Sequence, residues 1–547
     1  MPERDLQIPG WGLLSLLAVS LVLFLTGCFS TRADYAQLQS QVIRPDSAEV
    51  SDESLDIQKP FRVDRPELGL GRDFPDSTEP LLLSVEDAVV LALQNNRDLR
   101  FQQLEPVIQG AFARLERSRF DPEFYTNLQF GEEQITQTAR STGEQFDVFG
   151  KDSAGTVGVR STLPTGTEVD VSLGVDRSIS DRTPEQQSAR LGVAINQPLL
   201  QGFGPKINLA QVRQAELETL ASIWELRGFT EALLAEVESA YWRYVLAREQ
   251  IRIFARSLEL AEQQQKEVEE RIEVGAIANN QAAVVRAEVA SREQDLINAR
   301  SLMESRRLQL LQLIYSGQRW NSGQQLDPTS SLDIEPLELA ETRTWVETAL
   351  SARPDLRQAE LLYQSNALET RVTANGRLPR LDLFVDMGRT GFATTPDDAV
   401  GDIDSDTYDF TAGVRLNTLI GNREARALDL VARANRQQSL EALRNLVQLV
   451  EVEVRLALNE VERARQQIEA SSVTRQLREQ TLKAEQERFK VGSSTALLVA
   501  QAQRDLLASR ISEVEAIVTY RIALIELYLA EGSLLERRGI RVETRAN

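Results

Sequence analysis

The hydrophobic and polar positions divide the chain into very long helical stretches and shorter strand-like stretches. Two stretches, Lys206–Val274 and Asn422–Val491, are rich in Ala, Leu, Glu, Gln and Arg and contain no proline. A helix of about 70 residues is about 100 Å long at 1.5 Å per residue. That length exceeds a compact globular domain and predicts coiled-coil packing. Shorter helices are predicted beside them, near Leu83–Arg117, Ala276–Tyr315, Thr344–Asn375 and Thr495–Ala530.

The chain repeats itself. Residues 92–100 (ALQNNRDLR) match residues 349–357 (ALSARPDLR), and residues 271–275 (RIEVG) match residues 488–492 (RFKVG). Both halves have the same order of elements: a helix, strands, a very long helix, a Val-Gly turn and another helix. This self-similarity predicts a duplicated structural unit.

Strand candidates lie between the short and the long helices of each half. Apolar residues alternate with polar ones at 124–130, 169–175, 191–195, 381–387 and 408–416. Such strands are typical of an outer-membrane barrel with a wet lumen, and equally of a half-buried soluble sheet, so periodicity leaves both open. We count about six strands, four in the first half and two in the second. The smallest membrane barrels need about eight strands, so a membrane barrel would require several chains.

The amino terminus carries an export signal. An apolar run, Trp11–Leu25, leads into Leu25-Thr26-Gly27-Cys28, which resembles the lipobox of bacterial lipoproteins. We predict a lipoprotein signal peptide at 1–27 and lipidation of Cys28. The alternative is a chance cysteine after an ordinary secretory signal. Residues 28–80 contain five prolines and many acids, which predicts a lipid-anchored tether.

The composition excludes several functions. The chain has 61 basic and 82 acidic residues, and removal of 1–27 leaves 60 and 80, a net charge of −20. This balance argues against a nucleic-acid partner. The chain has no histidine and one cysteine, so the common metal, haem and triad chemistries lack their residues. Acid pairs such as Glu269-Glu270 indicate a solvated helix face. We therefore expect no enzymatic activity, no metal and no cofactor.

The duplicated unit resembles the TolC-type outer-membrane efflux channels, particularly their lipidated OprM-like branch. The residues that carry this resemblance are Leu83–Ala88 with Ala92–Asn96, Asn196–Leu200, Ala240–Trp242 and the two Val-Gly turns. The expected fold is mainly α with transmembrane β: a duplicated helix–strands–long helix–helix unit, with a shared trimeric β-barrel on a long periplasmic α-helical barrel. The expected parts are repeat 1 at 81–320, a linker at 321–340, repeat 2 at 341–535 and a C-terminal tail at 536–547.

The resemblance also implies a function. A homotrimer in the cell outer membrane would be the exit duct of a tripartite efflux or type I secretion system. Its partners would be outer-membrane lipid, a periplasmic adaptor (membrane fusion) protein and an inner-membrane RND or ABC pump. The alternative is a lipid-anchored periplasmic coiled-coil scaffold without a pore. The Val-Gly turns would be periplasmic tips that contact the adaptor through Arg271, Val274, Gly275, Arg488, Val491 and Gly492.

Two features depart from the family pattern. Many relatives place aspartates just past the tip, whereas this chain has Asn279, Asn280 and Gln281 in one repeat and Thr495 in the other. We expect these residues to line the aperture and cations to block it weakly. The first half also holds an extra hairpin around Pro164-Thr165-Gly166. A trimer would have twelve strands without this hairpin in the wall and eighteen with it, and the sequence leaves both open.

Overall fold

The computed structural model describes residues 80–181, 184–275, 278–315, 325–334, 338–404 and 406–540. All of them fall in a single unit. The predicted signal peptide, Cys28 and the tether up to residue 79 lie outside the described residues.

Each half of the chain builds the predicted series of elements. The first half contains β1 (Leu81–Leu83), α1 (Val85–Asn95), α2 (Arg97–Gln102), α3 (Glu105–Arg117), β2 (Glu123–Thr138), β3 (Gln145–Thr162), β4 (Glu168–Ser180), β5 (Gln186–Pro198), α4 (Pro205–Asn208), α5 (Ala210–Glu273) and α6 (Gln281–Ile314). The second half contains β6 (Leu326–Pro328), α7 (Thr342–Ala352), α8 (Pro354–Gly376), β7 (Arg380–Ala393), α9 (Pro396–Gly401), β8 (Tyr408–Asn417), α10 (Arg423–Lys490), α11 (Ala496–Glu531) and α12 (Leu534–Arg537). The four long helices begin and end within about five residues of the predicted positions.

The predicted unbroken helices before the strands are wrong in both halves. Leu83–Arg117 divides at Asn96, which has extended backbone (ψ 123°) and caps α2 with its side chain. Thr344–Asn375 divides at Arg353, which is also extended (ψ 127°) because it precedes Pro354. The breaks at Asn96 and Arg353 occupy equivalent positions of the repeat, whereas the first half has a further break at Gln103–Leu104 that the second half lacks.

The two long helices owe their continuity to good helix formers and to packing of one face. Gly228 lies within α5 without interrupting it and packs beside Pro354, whose ring would be in ordinary contact, at 3.4 Å, with a Cβ at this position. Along α10 the buried residues recur every three or four positions, at Val450, Val454, Leu458, Val461 and Ala464. They pack against α7 and α11 as one apolar stripe. Among the described residues, every helix is too short or too polar to cross a bilayer.

The five strands predicted from alternation and one further strand, β3, form a single antiparallel sheet. Its order is β2-β3-β4-β5-β7-β8, with four strands from the first half and two from the second. The count and its division between the halves are therefore confirmed. The extra hairpin consists of β3 and β4, and its turn closes with the Leu163 amide donating to the Thr167 carbonyl at 2.7 Å. Gly166 takes a φ of 89° in this turn, which favours glycine.

A small two-stranded parallel sheet was not predicted. β1 and β6 pair from Leu81↔Leu326 to Leu83↔Pro328, which joins the start of the first half to the link between halves. Two buried tyrosines of α5 hold it in place. The Tyr241 hydroxyl donates to the Leu83 carbonyl at 3.0 Å, and the Tyr244 hydroxyl donates to the Leu326 carbonyl at 2.7 Å. Three-residue strands have too few positions to show a period, which explains why the pattern missed them.

Candidate functional site

One face of the six-stranded sheet is apolar and exposed. One row of directly paired residues, with one residue from each strand, crosses the whole sheet. The row is Phe124, Val159, Val171, Val193, Met387 and Phe410. Phe124 and Phe410 are among the most exposed large hydrophobic side chains of the chain. An exposed apolar surface of this width marks a contact with another protein or with a membrane.

The opposite face carries charged and hydroxyl groups that cross the strands. The Tyr125 hydroxyl of β2 lies 3.0 Å from both carboxylate oxygens of Asp170 in β4. Its ring passes over Gly158 of the intervening strand, where a Cβ would come within 2.7 Å. The Arg190 guanidinium of β5 passes over Gly388 of β7 and binds Asp409 of β8 at 2.6 Å. The same arrangement therefore occurs twice: a long side chain passes over a glycine of the neighbouring strand and binds an aspartate two strands away.

The two predicted Val-Gly tips have matching geometry. Gly275 and Gly492 end the long helices in the left-handed region, with φ of 73° and 76°. Val274 and Val491 are each 78% exposed. A Cβ on either glycine would meet nothing within 4 Å. Both tips thus present an exposed valine beside an open backbone, an arrangement that another helix can approach closely.

The two tip arginines differ in their surroundings. Arg271 lies 5.0 Å from the centre of the Phe489 ring and pairs with Glu267 at 2.7 Å. It therefore links the end of α5 to the end of α10. Arg488 is more exposed, and among the described residues it pairs with Glu485 of its own helix, at 2.7 Å.

The predicted aperture residues lie just past the tips. Asn279 and Asn280 are exposed and precede α6. Gln281 begins α6, and its side-chain oxygen accepts from the Ala496 amide at 3.4 Å, which joins the two hairpins. Thr495 caps α11 by accepting from the Leu498 amide. In the described part of the chain, no group of three or more acids or cysteines is placed to hold a metal ion.

A buried cluster of charged residues near the ends of α11 and α12 was not predicted. Glu238 of α5 is buried, and Arg538 donates two bonds of 2.6 Å to its carboxylate. Glu231 lies about two helical turns before Glu238 on α5 and is also buried. Its carboxylate accepts a hydrogen bond of 3.2 Å from Arg227 Nε. Burial raises the pKa of Glu231 to about 7, and the Arg227 charge and hydrogen bond offset only part of that effect. No local sequence pattern marks a glutamate within a long helix as buried, which is why this cluster was not predicted.

The comparison with protein families gives a match over most of the chain. The family described as outer membrane efflux protein matches residues 88–314 and 345–533. A relative, the pyoverdine export outer membrane protein OpmQ of Pseudomonas putida, is 26% identical over 367 residues, which are 65% of this chain and 73% of OpmQ.

Solved structures of outer-membrane channels have the same fold. The CusC channel matches with a TM-score of 0.61 at 17% identity, over 86% of this chain and 98% of CusC. The Campylobacter jejuni CmeC channel matches with a TM-score of 0.59 at 15% identity, over 92% and 99%. The expected fold class and the resemblance to TolC-type channels are thereby confirmed. The chain belongs to the outer membrane efflux protein family and is an outer-membrane exit duct of a tripartite efflux system.

Proposed function

We propose that three copies of the chain form the duct, with each sheet contributing to one shared barrel. The observation that carries this proposal is the sheet itself. Its apolar face is exposed, and β2 and β8 are its terminal strands, so two open edges remain. Open strand edges are not tolerated in lipid. Pairing of β8 of one copy with β2 of the next removes both edges in a closed ring.

The exposed side of α10 supports the same assembly. Leu449, Val452 and Leu456 are 48%, 51% and 63% exposed, although the buried stripe of α10 faces α7 and α11. At 100° per residue they lie within about 60° of one another on the helix surface. A neighbouring copy packed against this stripe would cover it.

The tips are the proposed contact with a periplasmic adaptor, and an inner-membrane RND or ABC pump would deliver substrate through that adaptor. Val274, Val491 and Arg488 have exposed side chains and would meet the adaptor directly. Gly275 and Gly492 would let its helices approach. Arg271 would act by holding the two tips together through Phe489.

The remaining proposals follow the sequence expectations. Cys28 would carry the lipid anchor, with the signal peptide at 1–27 and the tether at 28–80. Repeat 1 would span 81–320 and repeat 2 would span 341–535. The relatives are channel and transport proteins, and we propose that this chain likewise performs no catalysis.

The native mass of the protein, extracted from outer membrane in mild detergent, tests the assembly. We expect three chains, each beginning at Cys28 with added acyl mass. A lipidated monomer would leave the sheet edges open and would overturn the shared barrel. A trimer without acyl mass would retain the barrel and remove the lipid anchor.

A further inference from the structure

We infer that the extra hairpin, residues Gln145–Ser180, is a lipid-facing part of the barrel wall rather than an external loop. Each chain would then contribute six strands, and a three-chain barrel would have eighteen. This inference rests on the proposed trimer. Without the hairpin the same three chains would contribute four strands each, twelve in all.

The first argument is strand pairing. β3 pairs with β2 from Glu123↔Arg160 to Thr138↔Gln145, along the full length of β2. β4 pairs with β5 from Glu168↔Asn196 to Ser178↔Gln186. The hairpin therefore separates β2 from β5. A hairpin folded outside the wall would leave those two strands to pair with each other.

The second argument is the apolar face. Val159 and Val171 continue the row of apolar residues between Phe124 and Val193, and they are 44% and 42% exposed. In the next row Val157 pairs with Leu173 and Leu173 with Leu191, between Thr126 of β2 and Arg389 of β7. Strands of an external hairpin in water have no need for an apolar side in register with the wall. Strands within the wall need one, because lipid contacts that side.

The third argument is the opposite face. The Tyr125 side chain crosses over Gly158 of the hairpin to reach Asp170, also of the hairpin. Arg160 of the hairpin pairs with Glu123 of β2 at 2.8 Å. These polar groups fasten the hairpin to β2 on the side that would face the lumen. The tie between Arg190 and Asp409 fastens the undisputed strands in the same way.

The apolar residues of β2 run from Phe124 to Phe130, about 20 Å along the strand at 3.4 Å per residue. At a strand tilt of about 40° this is about 15 Å along the membrane normal, about three fifths of the apolar band about 25 Å tall of an outer-membrane barrel. Beyond this band the lipid side becomes polar, where Lys151 pairs with Glu132 at 3.3 Å. Barrel diameter grows roughly linearly with strand number, so eighteen strands would make the exit about 1.5 times as wide as twelve.

Cysteine accessibility tests the inference in the full chain, whose only cysteine is Cys28. Val171→Cys lies on the apolar side of the hairpin, and Asp176→Cys lies on its polar side; both residues are exposed in the single chain. Val193→Cys is the matched apolar position on β5. A membrane-impermeant maleimide is applied to intact cells, and the unaltered chain gives the background.

We expect Asp176→Cys to react at least tenfold faster than Val171→Cys and Val193→Cys. Fast labelling of Val171→Cys with protection of Val193→Cys would place the hairpin outside the wall and overturn the inference alone. Fast labelling of both would mean that the sheet is not in lipid, and the proposed function would fail with it. Protection of Asp176→Cys would contradict a water-filled lumen beside the hairpin and would also overturn the inference.

Disulfide formation gives a second, independent measurement. The pair Phe130→Cys with Ser153→Cys joins neighbouring residues of β2 and β3. The pair Phe124→Cys with Val193→Cys would join β2 to β5, which the hairpin separates. We expect a disulfide in the first pair and none in the second. The reverse result would overturn the inference.

Discussion

Neutralising Glu231 is predicted to stabilise the protein at alkaline pH. The Glu231 side chain lies on α5 and is 1% exposed, so its carboxylate loses nearly all contact with water. Arg227 supplies one hydrogen bond at 3.2 Å, but that guanidinium also binds Glu536. Glu231→Gln removes the charge and keeps the side-chain oxygen that accepts from Arg227.

The magnitude follows from the pKa. Folding raises the pKa of Glu231 from 4.5 to about 7. The folded protein then holds this proton more tightly than the unfolded chain does. Below about pH 4.5 Glu231 is protonated in both the folded and the unfolded chain, so it does not change the free energy of unfolding. Between about pH 4.5 and pH 7 the free energy of unfolding falls as the pH rises. Above about pH 7 the loss is constant. About 2.5 pH units at 1.36 kcal/mol each give about 3 kcal/mol. Because Gln is a weaker partner for Arg227 than a carboxylate, we expect a gain of about 1–3 kcal/mol at pH 8.

The assay is thermal unfolding of the detergent-extracted protein at pH 5 and pH 8, at one heating rate. The Glu231→Gln variant should melt higher than the unaltered protein at pH 8 and close to it at pH 5. Glu236→Gln, at an exposed position of the same helix, is the matched control and should change neither value. A lower melting temperature at pH 8, or an equal gain at both pH values, would refute the reasoning.

Three further outcomes are expected. Leu456→Glu should convert the trimer to monomers in native mass measurements, whereas Arg444→Glu, about 80° around the same helix from Val452, should leave it trimeric. Gly492→Ala places a side chain on a residue with positive φ, which destabilises the turn by about 1 kcal/mol, so amide hydrogen exchange at that turn should accelerate about fivefold. The control is Gly376→Ala, where φ is ordinary and the surrounding space is open, and it should not alter exchange at the turn. Trivalent cations at the periplasmic side should not block the channel at micromolar concentration, because Asn279, Asn280 and Gln281 carry no charge; micromolar block would contradict this.

The parts of the fold that the sequence predicted share one property, a long and regular pattern. α5 and α10 are runs of more than sixty residues rich in good helix formers and free of proline, so their existence and ends are well determined. Five of the six strands of the large sheet alternate over five to nine residues and were also predicted. The duplication added a second, independent copy of each signal.

The parts that were missed depend on contacts between distant residues. The β1–β6 sheet pairs residues about 245 positions apart, and Arg538 meets Glu238 across 300 positions. Neither contact leaves a local pattern. The break at Arg353 is different, because Pro354 marks it in the sequence. That break was predictable from Pro354, but the helix-forming residues on both sides of it led to the prediction of one continuous helix.

Equivalent residues of the two duplicated tips have different surroundings. Arg271 and Arg488 occupy the same position of the repeat, three residues before the Val-Gly pair. Phe489 of the second repeat corresponds to Ile272 of the first, so only one of the two arginines finds an aromatic ring on the neighbouring tip. Arg271 therefore joins the two tips, and the Arg488 side chain stays largely exposed. The two tips therefore share a backbone geometry but have chemically different surfaces, and at the proposed adaptor contact they would form two distinct docking positions.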